Sequence, residues 1–293
     1  MAAKRGRTGQ RLELGLQLRQ LREGCGLGDR GGGLTRKQAV QGLRISEASL
    51  LRIENGALNF RNIGDLRKLL DKYGVTDEDV IESLINLNRE SGHQDWLTQF
   101  RGLVPTGMPA FVGLEPEARS MRAYHPTLVY GLLQTKAYAR TLLESNKPIE
   151  ETTSEFVRSS VELRMKRQEV LTREDPVKLR VILAEASLRN VIGGRDVMRE
   201  QYERLETVAS WDHVTLQVLP FRASYRSTND FAILDLGDDL PPRVQIDSAW
   251  GATHTSDKRR EVDRFVRRFD AMTASALPPE DTPEFLHRLR REL

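Results

Sequence analysis

Two domains of different class are predicted: an all-α domain over residues 11–90 and an α+β domain over residues 113–293, with a basic arm over 1–10 and a linker or hinge over 91–112. Three observations carry this division. In the first stretch apolar residues recur at intervals of three and four, the period of a helix face. Beyond Phe111, helical patterns are interleaved with short alternating or β-branched runs of strand length. Between the two, Pro105, Gly107 and Pro109 interrupt every periodic pattern.

Length and composition support the same division. The 293 residues are enough for two cores, and 39% hydrophobic with 30% charged residues is the balance of a folded chain, not a disordered or fibrous one. The N-terminus, MAAKRGRTGQR, is basic with no apolar stretch behind it, and no apolar run approaches the length of a membrane span. A cytoplasmic, nucleoid-associated protein without a membrane partner is therefore expected. The net charge of +3 hides an asymmetry: residues 1–74 hold 15 Lys and Arg against 7 Asp and Glu, so the remainder is acidic on balance. A basic domain joined to a mildly acidic one suits a chain that grips a polyanion with one part and does something else with the other.

In chain order, Leu14, Leu18, Leu21 and Cys25 form the stripe of a first helix. Cys25 is the only cysteine, which excludes an internal disulfide and a thiolate-rich metal site and leaves it a core residue. The four glycines of Gly28-Asp29-Arg30-Gly31-Gly32-Gly33 predict a mobile insertion, a plain surface loop whose Arg30 is within reach of phosphate at most. Leu34 to Gly56 reads as two short helices joined by a tight turn. Ser46 can cap the second of these, and Asn55-Gly56 suits its left-handed exit. Leu50 and Ile53 face inward, leaving Glu47, Ala48, Ser49 and Arg52 outward. Ile63, Leu66, Leu69, Leu70 and Tyr73 give a fourth helix stopped at Gly74. A fifth starts with Thr76 as its cap and carries Val80, Ile81, Leu84, Ile85 and Leu87.

The run from Ser46 to Gly56, ending Arg52-Ile53-Glu54-Asn55-Gly56, resembles helix 3 and its exit in DNA-binding domains of the phage-repressor and XRE type. The flanking stripes extend the resemblance over the whole first domain and imply a lambda-repressor-like helix-turn-helix fold. Two departures stand out. Where that family carries a small residue in helix 2 and glycine in the turn, Val40 and Arg44 are read at those places, which implies crowded packing and a strained turn. The resemblance implies double-stranded DNA as partner. Arg52, Ser49, Ala48 and Glu47 would meet base edges, Arg36, Lys37, Arg61 and the basic arm would meet phosphates, and Ser46 and Asn55 would close the interface at the two helix ends. One such helix reads only a few base pairs, so a homodimer on two half-sites is expected.

In the second domain, strands are expected at Glu117–Tyr124, Lys178–Ala184, Val214–Leu219, Phe231–Leu236 and Arg243–Ile246. Helices are expected from Gly131 to Leu143, Ser154 to Leu171, Arg195 to Ala209, Ser256 to Ala276 and Thr282 to Leu293. Gly131-Leu132-Leu133-Gln134-Thr135 with Tyr138-Ala139-Arg140, Arg164 with Arg167-Gln168 and Leu171-Thr172-Arg173, Glu185 with Leu188-Arg189 and Gly193-Gly194, and Gln217-Val218-Leu219-Pro220-Phe221 occur in that order. This arrangement is similar to the C-terminal domain of the actinobacterial WhiJ-type, antitoxin-like regulators. The resemblance implies a small protein partner encoded nearby.

Nothing in the chain asks for an enzyme. His93, His125, His213, His254 and His287 are scattered, no nucleophile elbow, phosphate loop or dinucleotide fingerprint occurs, and Gly193-Gly194 reads as a turn before a helix. Neither a cofactor nor a metal is expected, and Asp235, Asp238 and Asp239 read as a solvated loop. Tyr124, His125, Tyr130, Tyr138, Trp211, Phe221, Tyr225, Phe231 and Trp250 suit a core first, then a protein interface, then a small-molecule pocket. The expected function is a DNA-binding transcription regulator controlled through its second domain. The alternatives are an antitoxin-like protein that sequesters its partner and a small-molecule-gated sensor.

Overall fold

The computed structural model describes residues 7–91, 111–238, 240–247 and 253–293. The chain forms two compact units, Met1–Thr98 and Gln99–Leu293. Trp96, Phe100, the linker prolines and Trp250 lie outside the described residues.

The first unit consists of α1 (Arg7–Gly24), α2 (Arg36–Ala39), α3 (Glu47–Glu54), α4 (Ile63–Lys72) and α5 (Glu78–Ser91). Leu14, Leu18, Leu50, Ile53, Leu66, Leu69, Leu70, Leu84 and Ile85 share one core, with Cys25 partly buried against it. The expected arm is helix from Arg7 onward, because Thr8 and Gln10 are buried and the Gln10 side chain donates to Glu90 of α5 at 2.7 Å. Asp77, not Thr76, caps α5: its Oδ1 accepts from the Asp79 N–H at 2.9 Å, one turn position that suits a carboxylate at the positive end of the helix. Val80 consequently faces outward. Asn88, buried on the same helix, is satisfied by the Phe60 backbone in both directions, at 2.9 and 3.0 Å.

The Gly28–Gly33 segment is a closed, internally bonded turn instead of an open loop. Gly28 N–H donates to the Gly32 carbonyl at 2.7 Å and Leu34 N–H to the Arg22 carbonyl at 2.9 Å, and a Cβ at Gly28 or Gly33 would collide with backbone. Gly28 and Gly33 are there for close approach, and Gly31 for its left-handed backbone at φ +77°. The two supposed departures in the helix-turn-helix also disappear. Helix 2 is short, its small buried residue is Ala39, and the turn glycine is Gly42 at φ +75°, so neither Val40 nor Arg44 occupies a strained place.

The second unit is built on a six-stranded mixed sheet of β1 (Ser120–His125), β2 (Lys178–Ala184), β3 (Val214–Leu219), β4 (Phe231–Asp235), β5 (Arg243–Asp247) and β6 (Thr253–Ser256), in the order β3-β2-β1-β4-β5-β6. β1, β2 and β3 run parallel, and β4, β5 and β6 continue antiparallel from β1. The helices are α6 (Lys136–Asn146), α7 (Ser154–Arg167), α8 (Glu185–Arg189), α9 (Arg195–Ala209), α10 (Arg259–Ser275) and α11 (Thr282–Glu292). Val262, Phe265, Phe269 and Met272 of α10 cover one sheet face through Tyr124, Ile182, Ile233 and Val244. Strand side chains alternate, so buried Met121, Ala123, Val181, Leu183 and Val218 point to the other face. There α9 and α11 lie against β3, and α9 also touches α6.

The first strand starts at Ser120, after a 3-10 turn over Glu115–Glu117. Neither α8 nor β6 was expected; both are five residues or fewer, too short to show a period. Tyr124, Tyr138 and Phe231 are core, while Phe221 and Tyr225 are exposed. Asp238 pairs with Arg119 at 3.1 Å and Asp235 accepts from the Gly237 N–H at 3.0 Å. No helix among the described residues is long and apolar enough to cross a membrane, and no group of three or more His, Cys, Asp or Glu among them is placed to hold a metal.

Candidate nucleic-acid interface

α3 is delimited by its own chemistry. Ser46 has extended backbone, and its Oγ accepts from the Ser49 N–H at 3.1 Å, satisfying one of the open donors of the first turn. Glu47 stands in that first turn, where the helix dipole favours an acid. At the other end Gly56 turns at φ +73° and lets the Ala57 N–H reach back to the Arg52 carbonyl at 2.8 Å. Asn55 itself is not left-handed (φ −90°); the glycine alone supplies that conformation.

Two devices hold α3 against its neighbours. Gly15 on α1 has its missing side chain over the carbonyl oxygens of Ile53 and Glu54, so the two helices approach backbone to backbone. Glu54, fully buried, accepts from Arg22 of α1 at 2.6 and 3.1 Å and from Arg36 of α2 at 2.7 Å. Arg22 also donates to the Leu34 carbonyl at 2.9 Å, which secures the segment leading into α2. Burial alone would lower the Arg22 guanidinium, but its hydrogen bond to Glu54 and the charge of that residue raise it above its ordinary value. One carboxylate thus ties α1, α2 and α3 together. Tyr73 lies in this environment, and burial followed by the Glu54 charge pushes its phenol well up.

The outward face of α3 presents Glu47, Ala48 and Arg52 exposed, with Ser49 half-buried and its hydroxyl 3.0 Å from that of Ser46. Ala48 and Arg52 are one turn apart on the same face. Asn55 is exposed at the helix exit, 3.4 Å from an Arg19 amine. Lys37, Arg44, Arg52 and Arg61 are exposed and pair with no carboxylate among the described residues. Arg36 differs from these cations: its Nε is bonded to Glu54 at 2.7 Å, so it ties α2 to α3 whatever its terminal nitrogens meet. Leu51 is an addition. It is 40% exposed three residues after Ala48, on the outward side of the helix. The signal was present in the sequence, since Leu51 fits neither stripe set by Leu50 and Ile53.

Comparison with protein families assigns both units. Residues 13–84 match a family described as a helix-turn-helix domain, and residues 108–288 match one described as a domain of unknown function, DUF5753. The chain belongs to the DUF5753 family. Its N-terminal unit is a helix-turn-helix domain, with α2 and α3 as the two helices of the motif. No curated protein and no solved structure matches the chain. The DUF5753 match begins just before Phe111 and Val112, the first described residues of the second unit, which are both buried.

Proposed function

We propose that this DUF5753 protein is a sequence-specific DNA-binding transcription regulator that acts as a dimer and has no catalytic role. The observation that carries the reading is the construction of α3: capped, tied from beneath by Glu54 to α1 and α2, and presenting Ala48, Leu51 and Arg52 outward beside unpaired cations. A helix so held can enter a major groove without losing its register, and the surrounding lysine and arginines supply phosphate attraction. The DUF5753 unit would bring two chains together and receive the signal. Its resemblance to WhiJ-type regulators supports a small protein as that signal.

The test is selection of duplexes from a random library by the full chain, followed by titration of the selected and a scrambled duplex at two salt concentrations. The expected result is a preference of at least about a thousandfold at two chains per duplex, with affinity falling steeply as salt rises. Equal affinity for both duplexes would exclude sequence-specific regulation. Gel filtration with the product of a neighbouring small gene tests the partner: a larger joint species is expected, and two unshifted peaks count against it.

A further inference from the structure

The DUF5753 unit contains a cavity of about 170 Å³ between β1, the Thr127–Gln134 segment and α7, lined by His125, Tyr130, Gln134, Arg164, Arg167 and Asp230 among others. Its walls mix apolar and polar side chains, and not every charge on them is paired. Arg167 is neutralised by a two-point pair with Glu115, at 2.7 and 2.9 Å; burial would lower its guanidinium, but the Glu115 charge and hydrogen bonds raise it. Arg164 has no carboxylate partner among the described residues. Its one hydrogen bond is to the neutral Gln134 Oε1 at 2.6 Å, and Gln134 is itself fixed by donating to the Val129 carbonyl at 2.6 Å. Burial first, and the charge of Arg167 second, pull the Arg164 guanidinium down to about 10.

Two further groups on this wall are unsatisfied. The Tyr130 hydroxyl, on a side chain only 4% exposed, and the His125 Nε2 have no hydrogen-bond partner among the described residues. Their rings stack at 4.6 Å. A half-buried cation paired with no carboxylate and two buried polar atoms without partners, all judged among the described residues, are costly in a folded domain, and gathered on one cavity they point to a site completed from outside. Asp230 and Asp247 line the cavity as well, so an inorganic polyanion would be opposed there.

We propose that this cavity binds a small carboxylate-bearing molecule that also carries a hydrogen-bond donor, with its carboxylate on Arg164 and Tyr130 and its donor end toward Asp230. A cavity of this volume takes roughly six to ten non-hydrogen atoms, the size of an amino acid or hydroxy acid. The inference goes beyond the DNA-binding reading and does not depend on it, since it is read on the protein without DNA.

The experiment is thermal melting of the full chain with minimal probes at 100 mM: sodium acetate against sodium chloride, and L-serine against ethanolamine hydrochloride, which lacks the carboxylate. Acetate is expected to raise Tm by about 3–5 °C beyond chloride, as for a site of millimolar affinity, and L-serine to exceed both acetate and ethanolamine. Arg164→Gln should abolish both shifts while leaving the ligand-free Tm unchanged or higher, because it removes a cation that forms no ion pair among the described residues. A purely structural Arg164 would instead lower it. Tyr130→Phe should halve the shifts or more. The proposal is overturned if neither carboxylate exceeds its control, or if the shifts survive in Arg164→Gln, and L-serine falling below acetate overturns the donor end.

Discussion

Glu54, the last residue of α3, accepts a hydrogen bond at 2.7 Å from Arg36, the first residue of α2, although the two lie eighteen positions apart in the chain. Glu54 also holds Arg22 of α1, so its removal leaves two cations around a buried, unfilled space. Breaking a buried pair from one side costs about 3–5 kcal/mol, and Glu54→Ala should lose that much stability. Chemical denaturation of the full chain, followed by a probe in the first unit, checks it. A loss below about 1 kcal/mol would mean that Glu54 behaves as a surface carboxylate.

The same pairing separates Arg36 from the other cations. Arg36→Gln is expected to lower stability and leave the salt dependence of random-duplex binding unchanged, once measured well below the melting temperature. Lys37→Ala and Arg61→Ala should each flatten that dependence by about one unit of slope. A flattened slope in Arg36→Gln would return Arg36 to the phosphate contacts.

On the outward face, Arg52→Ala is expected to cost about 1–3 kcal/mol on a selected duplex and little on a scrambled one. Leu51→Ala should behave similarly at smaller amplitude, with its effect confined to one base position, where thymine is preferred over uracil. Equal losses on selected and scrambled duplexes would remove either residue from base readout.

Close packing of α1 on α3 leaves no room at Gly15. Gly15→Ala places a methyl group against the Ile53 and Glu54 carbonyls and should destabilise the domain by about 1–3 kcal/mol, although alanine is the better helix former. A stabilised Gly15→Ala variant, seen as a raised melting temperature, would contradict the close approach.

Stability of the second unit should fall between pH 7 and pH 5. Burial, reinforced by Arg167 and Arg164, holds the His125 imidazole down to about 3, so the stability of its neutral form is complete above its unfolded value near 6.5 and is lost as pH falls. Asp230 acts in the opposite sense. Burial, then Asp247, pushes it up to about 6, so its contribution is present at low pH and lost as pH rises through 6. Asp230 is one-third exposed and its shift is the smaller, so His125 dominates. Although the Asp230 carboxyl is 3.6 Å from the His125 Nδ1, below pH 6 it is largely protonated and offers the ring little counter-charge. A net loss of about 1 kcal/mol is expected by thermal melting at pH 7 and 5, reduced in His125→Asn; parallel curves for the two proteins would refute the assignment.

Much of this protein is legible locally. The bounds of β2, β3 and α9 agree with the sequence expectation residue for residue, because alternation, helical period and the bounding glycines act within a few positions. The Ser46 cap and the outward side chains of α3 were equally readable, since both follow from spacing along one helix. What spacing could not decide is which partner a side chain finds. Arg36 has the sequence signature of a phosphate ligand, and only the fold shows it bound to Glu54. Ala39 and Gly42, in place of Val40 and Arg44, do the work of the small residue and the turn because helix 2 ends after one turn. The cavity is further from local legibility: it assembles Glu115, His125, Tyr130, Gln134, Arg164, Arg167 and Asp230 from five separate segments. Local free energy sets where helices and strands begin and end. Burial, which pairs charges across the chain and leaves Arg164 without a carboxylate partner among the described residues, exists only once those elements have packed.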